Sequence, residues 1–291
     1  MLTISEVGET TTIFPVTNIV WSGSTQYCKS VIISDSTVYG RMLFLEGELQ
    51  STSSDERIYH ESLVHPIMAN SVQKTSVLVV GGGEGATVRE VLRWADVGNV
   101  VWVDIDTKLV SICKEYLGWA PHVYQDSRVQ YKGMDIREYV HSKEQTHFDV
   151  IILDLPDPDD MSGYLYSPEF WVDMKKLCRD SDSRIVTHLG PVKPFSGLGA
   201  GVEQIWKAVQ GSGIEAWKSG FYQITIPSFK HSWGFWISGS SPFIKDPVLP
   251  PLLSVVDSEQ MRQWMYPPKV WRKAIDSISS TIVYGICNTY E

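Results

Sequence analysis

A glycine-rich turn that directly follows a short apolar run is the feature that most limits how this chain can fold. Residues 77–80 read VLVV and residues 81–85 read GGGEG. A short β-branched run of this kind is typical of a buried strand. Glycines after a strand let the backbone turn sharply and approach a ligand closely. A glycine turn by itself also fits a simple tight loop, so its meaning depends on the flanking sequence.

Strand and helix patterns alternate around this turn. The predicted strands are 77–80, 100–103, 129–131 and 150–153, with later strands at 184–187, 222–226 and 234–237, and the predicted helices between them are 87–94 and 109–116. Such an alternation is typical of a parallel sheet whose strands are joined by crossover helices.

The first part of the chain has a different pattern. Short β-rich runs broken by Gly, Pro, Asn or Ser fill residues 1 to about 50, and they predict a small antiparallel sheet. From residue 55 the segment DERIYHESLVHPIM has the apolar spacing of a helix. We therefore divide the chain into an N-terminal β-sheet domain, residues 1–54, and an α/β domain, residues 55–291. After a Pro-rich stretch, the second domain is predicted to end in a helical extension around residues 269–278.

Composition excludes several classes of function. The chain has 291 residues, 43% hydrophobic and 20% charged, as in ordinary globular proteins. Its net charge of −9 would repel phosphates, so we expect no nucleic-acid partner. The four cysteines form no C-x-x-C pair, so we expect free thiols and no metal site. The N-terminus lacks a secretory pattern and no apolar run approaches about 20 residues, so we expect a cytoplasmic protein without a membrane partner.

Acidic residues follow the predicted strands. Asp104 lies 19 residues beyond Gly85 at the end of the second strand, and Asp135 follows the third strand. Ligands of open α/β sheets bind at the carboxyl ends of the strands, where a carboxylate can accept hydrogen bonds from ribose hydroxyls. These positions suit a nucleoside.

Glu84 lies inside the glycine turn and argues against a phosphate ligand. The turn lacks the Lys-Ser/Thr ending of a phosphate-binding loop, and Glu84 would repel a pyrophosphate. An acid here favours a cationic ligand, such as the sulfonium or ammonium of S-adenosylmethionine or of its decarboxylated form. The alternative is that Glu84 only stabilises the dipole of the following helix.

A second acidic cluster follows the fourth strand. Asp154 and Asp157 come first, with Asp159 and Asp160 behind them. An unpaired charge directly after a buried strand is costly, so we expect a cation near Asp154. A solvated acidic turn is a sufficient explanation for Asp159 and Asp160.

These segments together resemble a known family, the spermidine synthase-like polyamine aminopropyltransferases. The matching pieces are LFLEGELQSTSSDERIYHE, GGGEGATVRE, VDID, DLPDP with the downstream Leu165 and Tyr166, and ITIPSFKHSWGFW. They occur in the family's order and spacing across roughly residues 25 to 240. Within the family, GEG in the turn and an apolar pair between two aspartates are most similar to the plant-type thermospermine synthases.

The resemblance implies a fold, a reaction and an assembly. The fold would be a Rossmann-like sheet of the class I methyltransferase type with helices on both faces, preceded by the small antiparallel domain. The reaction would move an aminopropyl group from decarboxylated S-adenosylmethionine to a polyamine, release methylthioadenosine and need no metal. Spermidine giving thermospermine or spermine is the favoured acceptor, and putrescine giving spermidine is the alternative. Relatives pair through the N-terminal sheet, which implies a homodimer.

The resemblance also assigns site residues. Those implied to bind the donor are Gln50, His60, Gly81, Gly83, Glu84, Gly85, Asp104, Ile105, Asp135 and Ile136. Those implied to bind the acceptor are Tyr59, Asp154, Asp157, Tyr222 and Trp233, and the first three of these are also the implied catalytic residues. Glu84 would lie near the propylamine and Asp104 on the ribose. Asp154 would be the base or anchor for the attacking amine, because an alkylammonium must lose its proton before it attacks.

Three positions depart from the family. Lys29 or Cys28 stands where the family commonly has a donor-contacting Gln, Asp159 and Asp160 alter the loop over the acceptor, and His188 replaces a frequent Gln. A structural role is the favoured interpretation of His188.

Two other functions therefore remain open. The chain could transfer a methyl or aminocarboxypropyl group from whole S-adenosylmethionine to an amine, with an inward Lys29 neutralising the extra carboxylate. It could also be an inactive regulator that binds a polyamine or nucleoside, although Tyr59, Asp154 and Asp157 argue against this.

Overall fold

The structure is a computed structural model of the chain. It describes residues 2–7, 11–142, 146–156, 163–192, 200–210, 212–214, 218–239, 248–264 and 282–284. The predicted terminal helix at 269–278 and the residues Asp157, Asp159 and Asp160 lie outside these ranges.

Two antiparallel sheets form the N-terminal part of the described chain. Strand β1, Leu2–Val7, pairs with β2, Thr11–Val16. Strands β3 (Asn18–Gly23), β4 (Val31–Ser36), β5 (Gly40–Leu45) and β6 (Glu48–Thr52) form a four-stranded sheet in chain order. The sequence predicted antiparallel strands here but missed β1 and the largely polar β6.

A mostly parallel sheet follows. Its elements are α1 (Glu56–Asn70), β7 (Ser76–Gly81), α2 (Ala86–Val91), β8 (Asn99–Val103), α3 (Thr107–Tyr116), β9 (Val129–Lys132), α4 (Ile136–His141), β10 (Val150–Asp154), α5 (Pro168–Leu177), β11 (Arg184–Pro191), α6 (Ala200–Val209), β12 (Lys218–Ile226), β13 (His231–Gly239), α7 (Ser258–Trp264) and β14 (Ile282–Tyr284). The strand order is β14-β12-β13-β11-β10-β7-β8-β9, and strands β7 to β11 run parallel. The sequence did not predict α4 to α7 or β14.

The central strands are buried because helices cover both faces. Side chains of β7 alternate: Leu78 and Val80 pack into one core with helices α4 to α6, whereas Val77 and Val79 pack into another with α1, α2 and α7. All four are at most 3% exposed. The Rossmann-like fold with helices on both faces is therefore confirmed.

The strand order reverses next to β7. The chain proceeds from β7 to β8 and β9 on one side and then crosses to β10 on the other side. In open α/β sheets such a switch point leaves a crevice at the carboxyl ends of the two diverging strands. Gly81 ends β7 and Asp154 ends β10, and the two residues are paired in register.

The N-terminal four-stranded sheet packs against α3. Val31, Ile33 and Leu43 of the sheet belong to one apolar cluster with Leu109 and Ile112 of the helix. This packing places β6 beside the glycine turn, where the hydroxyl of Ser51 donates a hydrogen bond to Glu84. The boundary at residue 54 stays a prediction.

Candidate active site

The glycine turn lies directly against Asp154. Gly81 and Gly82 both have positive φ, +81° and +67°, a region that side-chain-bearing residues rarely adopt. A Cβ at Gly81 would collide with the carbonyl oxygen of Asp154, and one at Gly82 would lie 2.7 Å from its Oδ2. Glycine is required at both positions because a Cβ would overlap with Asp154. The glycine backbone can therefore lie directly against the Asp154 carboxylate.

Two hydroxyl groups hold the Asp154 carboxylate. Tyr59 of α1 donates to Oδ1 at 2.8 Å, and Thr87 of α2 donates to Oδ2 at 2.5 Å. Thr87 is fully buried. These contacts from two helices fix the orientation of a carboxylate that is itself only partly buried.

Glu84 reaches across the turn to the N-terminal sheet and to α1. Its Oε1 accepts a hydrogen bond from Ser51 at 2.6 Å, and its Oε2 lies 3.5 Å from Nε2 of His60. Among the described residues, Oε2 has no hydrogen-bond partner of good geometry. Burial raises the pKa of Glu84 to about 7, even though the charge of His60 and the Ser51 hydrogen bond lower it.

His60 is buried between two carboxylates. Its Nδ1 lies 2.7 Å from the carbonyl oxygen of Glu56 and 2.8 Å from Glu56 Oε2. Burial alone would lower the pKa of His60, but the hydrogen bond and charge of Glu56 raise it to about 9.

Glu56 in turn is held by Arg89. Arg89 Nη2 and Nη1 donate to the two carboxylate oxygens of Glu56 at 2.9 and 3.0 Å. Burial opposes ionisation of Glu56, but hydrogen bonds from His60 and Arg89 lower its pKa to about 2. The carboxylate of Glu56 is therefore fully ionised at neutral pH.

Asp104 forms the third corner of the site. It follows β8 and is 9% exposed, and its Oδ1 accepts the backbone N–H of Asp106 at 2.8 Å. A Cβ added at Gly83 would lie 3.4 Å from its Oδ2, so this carboxylate faces the glycine turn. Burial raises the pKa of Asp104 to about 7, against the Asp106 N–H, while the charges of Asp106 and Asp154 raise it further.

Other predicted donor residues differ in their availability. Ile105 is 38% exposed beside Asp104, and the Gln50 amide donates to the carbonyl of Glu48 at 3.3 Å. Asp135 caps α4 and pairs with Arg137 at 2.5 Å. Burial opposes ionisation of Asp135, but the Arg137 hydrogen bond lowers its pKa.

The side chain of Ile136 faces the core. It is only 5% exposed and packs into the core beneath the sheet edge, because α4 begins at this residue and turns its first apolar side chain inward. A ligand in the crevice could meet only the backbone of this residue, and its assignment to the donor site stays a prediction.

Tyr222 is also a core residue. It is 1% exposed, its hydroxyl donates to the carbonyl of Ser62 at 2.7 Å, and its ring stacks on Phe235. Phe235 in turn contacts Tyr59. The Phe235 ring therefore packs against both tyrosines, and Tyr222 anchors β12 to α1. These contacts give no support to the expected place of Tyr222 in the acceptor channel, which stays a prediction.

Trp233 and His188 lie next to Tyr59. The His188 ring stacks on Trp233, with centroids 5.9 Å apart, and meets Tyr59 edge-on at 6.1 Å. His188 Nε2 lies 2.6 Å from the carbonyl oxygen of Leu155, the residue after Asp154. His188 therefore supports the backbone beside Asp154, while its buried Nδ1 has no hydrogen-bond partner among the described residues. The structural interpretation of His188 stays a prediction.

Lys29 is not placed to neutralise a ligand carboxylate. Its side chain is exposed, and its backbone N–H donates to Glu46, while the neighbouring Cys28 packs against the N-terminal sheet cluster. This leaves the idea of an inward Lys29 without structural support.

The sequence did not identify Ser51, Glu56, Thr87 and Arg89 as site residues. Only the Glu56–His60 spacing of i, i+4 on one helix carried a local signal. The other contacts join elements that are distant in sequence.

Comparison with known proteins defines the class of this fold and site. The family model described as the spermine/spermidine synthase domain matches residues 56–243. "Polyamine aminopropyltransferase 1" of Hyperthermus butylicus is 38% identical over 224 residues, which cover 75% of this chain and 74% of that protein. "Polyamine aminopropyltransferase" of Aeropyrum pernix is 34% identical over 80% of this chain and 71% of that protein.

Solved structures share the fold. A crystal structure of spermidine synthase in complex with the transition-state analogue AdoDATO has a TM-score of 0.84 and 22% identity, and the match covers 95% of each chain. Spermidine synthase from Thermotoga maritima has a TM-score of 0.83 and 21% identity at the same coverage. The chain belongs to the spermine/spermidine synthase family.

None of the helices within the described ranges combines the length and the apolar character that a bilayer crossing requires. The described part of the chain contains no group of three or more His, Cys, Asp or Glu side chains arranged to hold a metal ion.

Proposed function

We propose that this protein is a polyamine aminopropyltransferase that uses decarboxylated S-adenosylmethionine. The observation that carries the proposal is the convergence of Glu84, Asp104 and Asp154 on one glycine turn at the switch point of the sheet. Three carboxylates within mutual electrostatic reach favour cationic ligands. The names of the similar proteins, and the AdoDATO complex of a similar fold, support this proposal.

The donor would lie along the turn. Asp104 would accept hydrogen bonds from the ribose, and Glu84 would pair with the propylammonium, with His60 behind it. Gly81, Gly83 and Gly85 would let the backbone approach the nucleoside, and Gln50, Ile105 and Asp135 would complete its surroundings. Ser51 would keep Glu84 directed into the crevice.

The acceptor amine would approach Asp154. After losing its proton to Asp154, or through it to water, the nitrogen attacks the methylene carbon beside the sulfonium. A C–N bond forms, the C–S bond breaks with its electron pair on sulfur, and neutral methylthioadenosine leaves. Tyr59 orients the Asp154 carboxylate, Asp157 would orient the polyamine, and Trp233 would line the acceptor side. Proton removal of this kind typically contributes about 10² to 10⁴ in rate.

Spermidine is the proposed acceptor, giving thermospermine or spermine, and putrescine is the alternative. The similarity of the GEG turn and the DLPD segment to plant-type thermospermine synthases supports the longer substrate. A cytoplasmic homodimer is proposed from the composition and the resemblance.

A product assay tests this function. Purified protein is incubated with decarboxylated or whole S-adenosylmethionine and with putrescine, spermidine or spermine, and the products are weighed by mass spectrometry. The proposal expects a gain of about 57 Da on the polyamine, from the decarboxylated donor only. A gain of a methyl or aminocarboxypropyl group from the whole donor would contradict it. Binding without turnover would instead support a regulator.

A further inference from the structure

Two buried histidines on α1 differ in the groups that face their ring nitrogens. His65 Nδ1 accepts a hydrogen bond from Trp94 Nε1 at 3.1 Å, so this nitrogen carries no proton. Its Nε2 donates to Glu90 at 3.1 Å. His65 is therefore a neutral imidazole with both nitrogens satisfied.

His60 has acceptors at both nitrogens. Nδ1 faces the carbonyl and carboxylate oxygens of Glu56, and Nε2 faces Glu84 Oε2 at 3.5 Å. A neutral imidazole has only one N–H and would leave one of these contacts as two facing acceptors. When Glu84 is ionised, only the doubly protonated imidazolium suits both sides, and the raised pKa of His60 agrees with this geometry.

The charged groups around His60 come from four elements. Glu56 lies on α1 itself, Glu84 on the turn after β7, and Asp154 at the end of β10, while Arg89 of α2 reaches Glu56. Positive and negative groups therefore alternate from Arg89 to Glu84, and Asp154 adds a third negative group at the crevice.

We propose that Glu56, fixed by Arg89, is a positioning residue that holds His60 as an imidazolium and so keeps Glu84 ionised for the aminopropyl ammonium of the donor. Burial favours the protonated form of Glu84, and the charge of His60 opposes this. Without that charge the pKa of Glu84 rises further, and a larger fraction of this group is a neutral acid that cannot form an ion pair with the ammonium. This proposal rests on the proposed function.

The test compares Glu56→Gln with Glu90→Gln in the full chain. Both changes remove a buried carboxylate that pairs with Arg89 and with a histidine. The histidine is His60 for Glu56 and His65 for Glu90, so Glu90→Gln is the matched control. Binding of decarboxylated S-adenosylmethionine and of methylthioadenosine, which lacks the propylammonium, is measured by calorimetry from pH 6 to 10. Glu56→Gln should weaken the decarboxylated donor about tenfold or more at pH 7.5 and leave methylthioadenosine unchanged.

The pH profile distinguishes this role from a merely structural one. In the wild type, donor affinity should be greatest between the pKa of Glu84, about 7, and that of His60, about 9. Below this window Glu84 is protonated, and above it His60 loses its charge. Glu56→Gln should move the upper limit downward, whereas Glu90→Gln should keep the wild-type profile. An unchanged ratio of the two affinities in Glu56→Gln would overturn the proposal.

Nitrogen NMR of the histidine rings gives a readout that needs no donor. The His60 signal, assigned by its loss in His60→Asn, should show an imidazolium at pH 7.5 in the wild type and a neutral ring in Glu56→Gln. A neutral His60 in the wild type would overturn the proposal even if Glu56→Gln fails to fold. A charged His60 with no measurable donor binding would contradict the proposed function and leave the charge arrangement standing.

Discussion

The His60 and His65 clusters use the same residue types on one helix, but they have opposite characters. His65 and Glu90 are both fully buried, and Glu90 accepts from His65 and Arg89. The His60 cluster ends at Glu84, which keeps one oxygen without a good partner among the described residues. The difference teaches that burial of charge does not itself mark a site. A site is marked where a buried carboxylate is left with capacity to bind.

The strongest contrast is expected at Asp154, which lies beyond His60 and has no counterpart beside His65. Asp154→Asn preserves the size of the side chain but removes the proton acceptor, so turnover should fall by about 10² to 10⁴. Affinity for methylthioadenosine should be nearly unchanged, since that ligand lacks the aliphatic amine that would meet Asp154. Initial rates and calorimetry on the same preparation measure both. Full activity in this variant would remove Asp154 from its role.

Within the His65 cluster, Glu90 should matter for stability alone. Burial raises the pKa of Glu90, but the His65 hydrogen bond and Arg89 lower it to about 2. A group whose pKa is lowered by folding stabilises the fold at pH values above its unfolded pKa, near 4.5. This stabilisation is lost as the pH falls toward 2. Glu90→Gln should therefore reduce the free energy of unfolding at pH 7 by about 3 kcal/mol. Urea denaturation from pH 7 down to pH 3 measures this, and an equal deficit at all pH values would contradict the ionic explanation.

In the His60 cluster, removal of the Glu84 charge should change the free energy of unfolding in the opposite direction. The pKa of Glu84 is raised, so ionisation destabilises the fold above pH 4.5 and does so fully above about pH 7. Glu84→Gln should raise the free energy of unfolding at pH 8 by roughly 1–3 kcal/mol and weaken the decarboxylated donor. The same urea titration, with pH 4.5 as the control condition, detects it. Loss of stability at pH 8 would show that Glu84 serves the fold.

Asp104 sharpens the comparison because it is a buried carboxylate of the crevice without a histidine. Asp104→Ala should weaken methylthioadenosine about tenfold, as expected for a lost charge-assisted hydrogen bond. Since the pKa of Asp104 is about 7, wild-type affinity should fall below pH 7 as the carboxylate protonates. The variant should lack this dependence, and unchanged affinity would count against the ribose assignment.

Much of the site was predictable because strand ends are predictable. The buried runs of β7, β8 and β10 identified the edge at which Glu84, Asp104 and Asp154 meet. The burial of two assigned side chains was not predictable: Tyr222 lies on the face of β12 that packs against α1, and Ile136 lies on the inner face of α4. The sequence alone did not show which face would be covered.

The supporting contacts were beyond sequence reasoning. Ser51 and Glu84 are 33 residues apart, and Tyr59 and Asp154 are 95 apart. Their meeting depends on how the N-terminal sheet and α1 dock on the parallel sheet, and no short-range periodicity encodes that.

Arg89 bonds Glu56 through its terminal nitrogens and Glu90 through Nε. The Arg89 guanidinium thus belongs to both the His65 cluster and the His60 cluster. A change at position 89 would therefore act on the stability of the fold and on the proposed donor binding together.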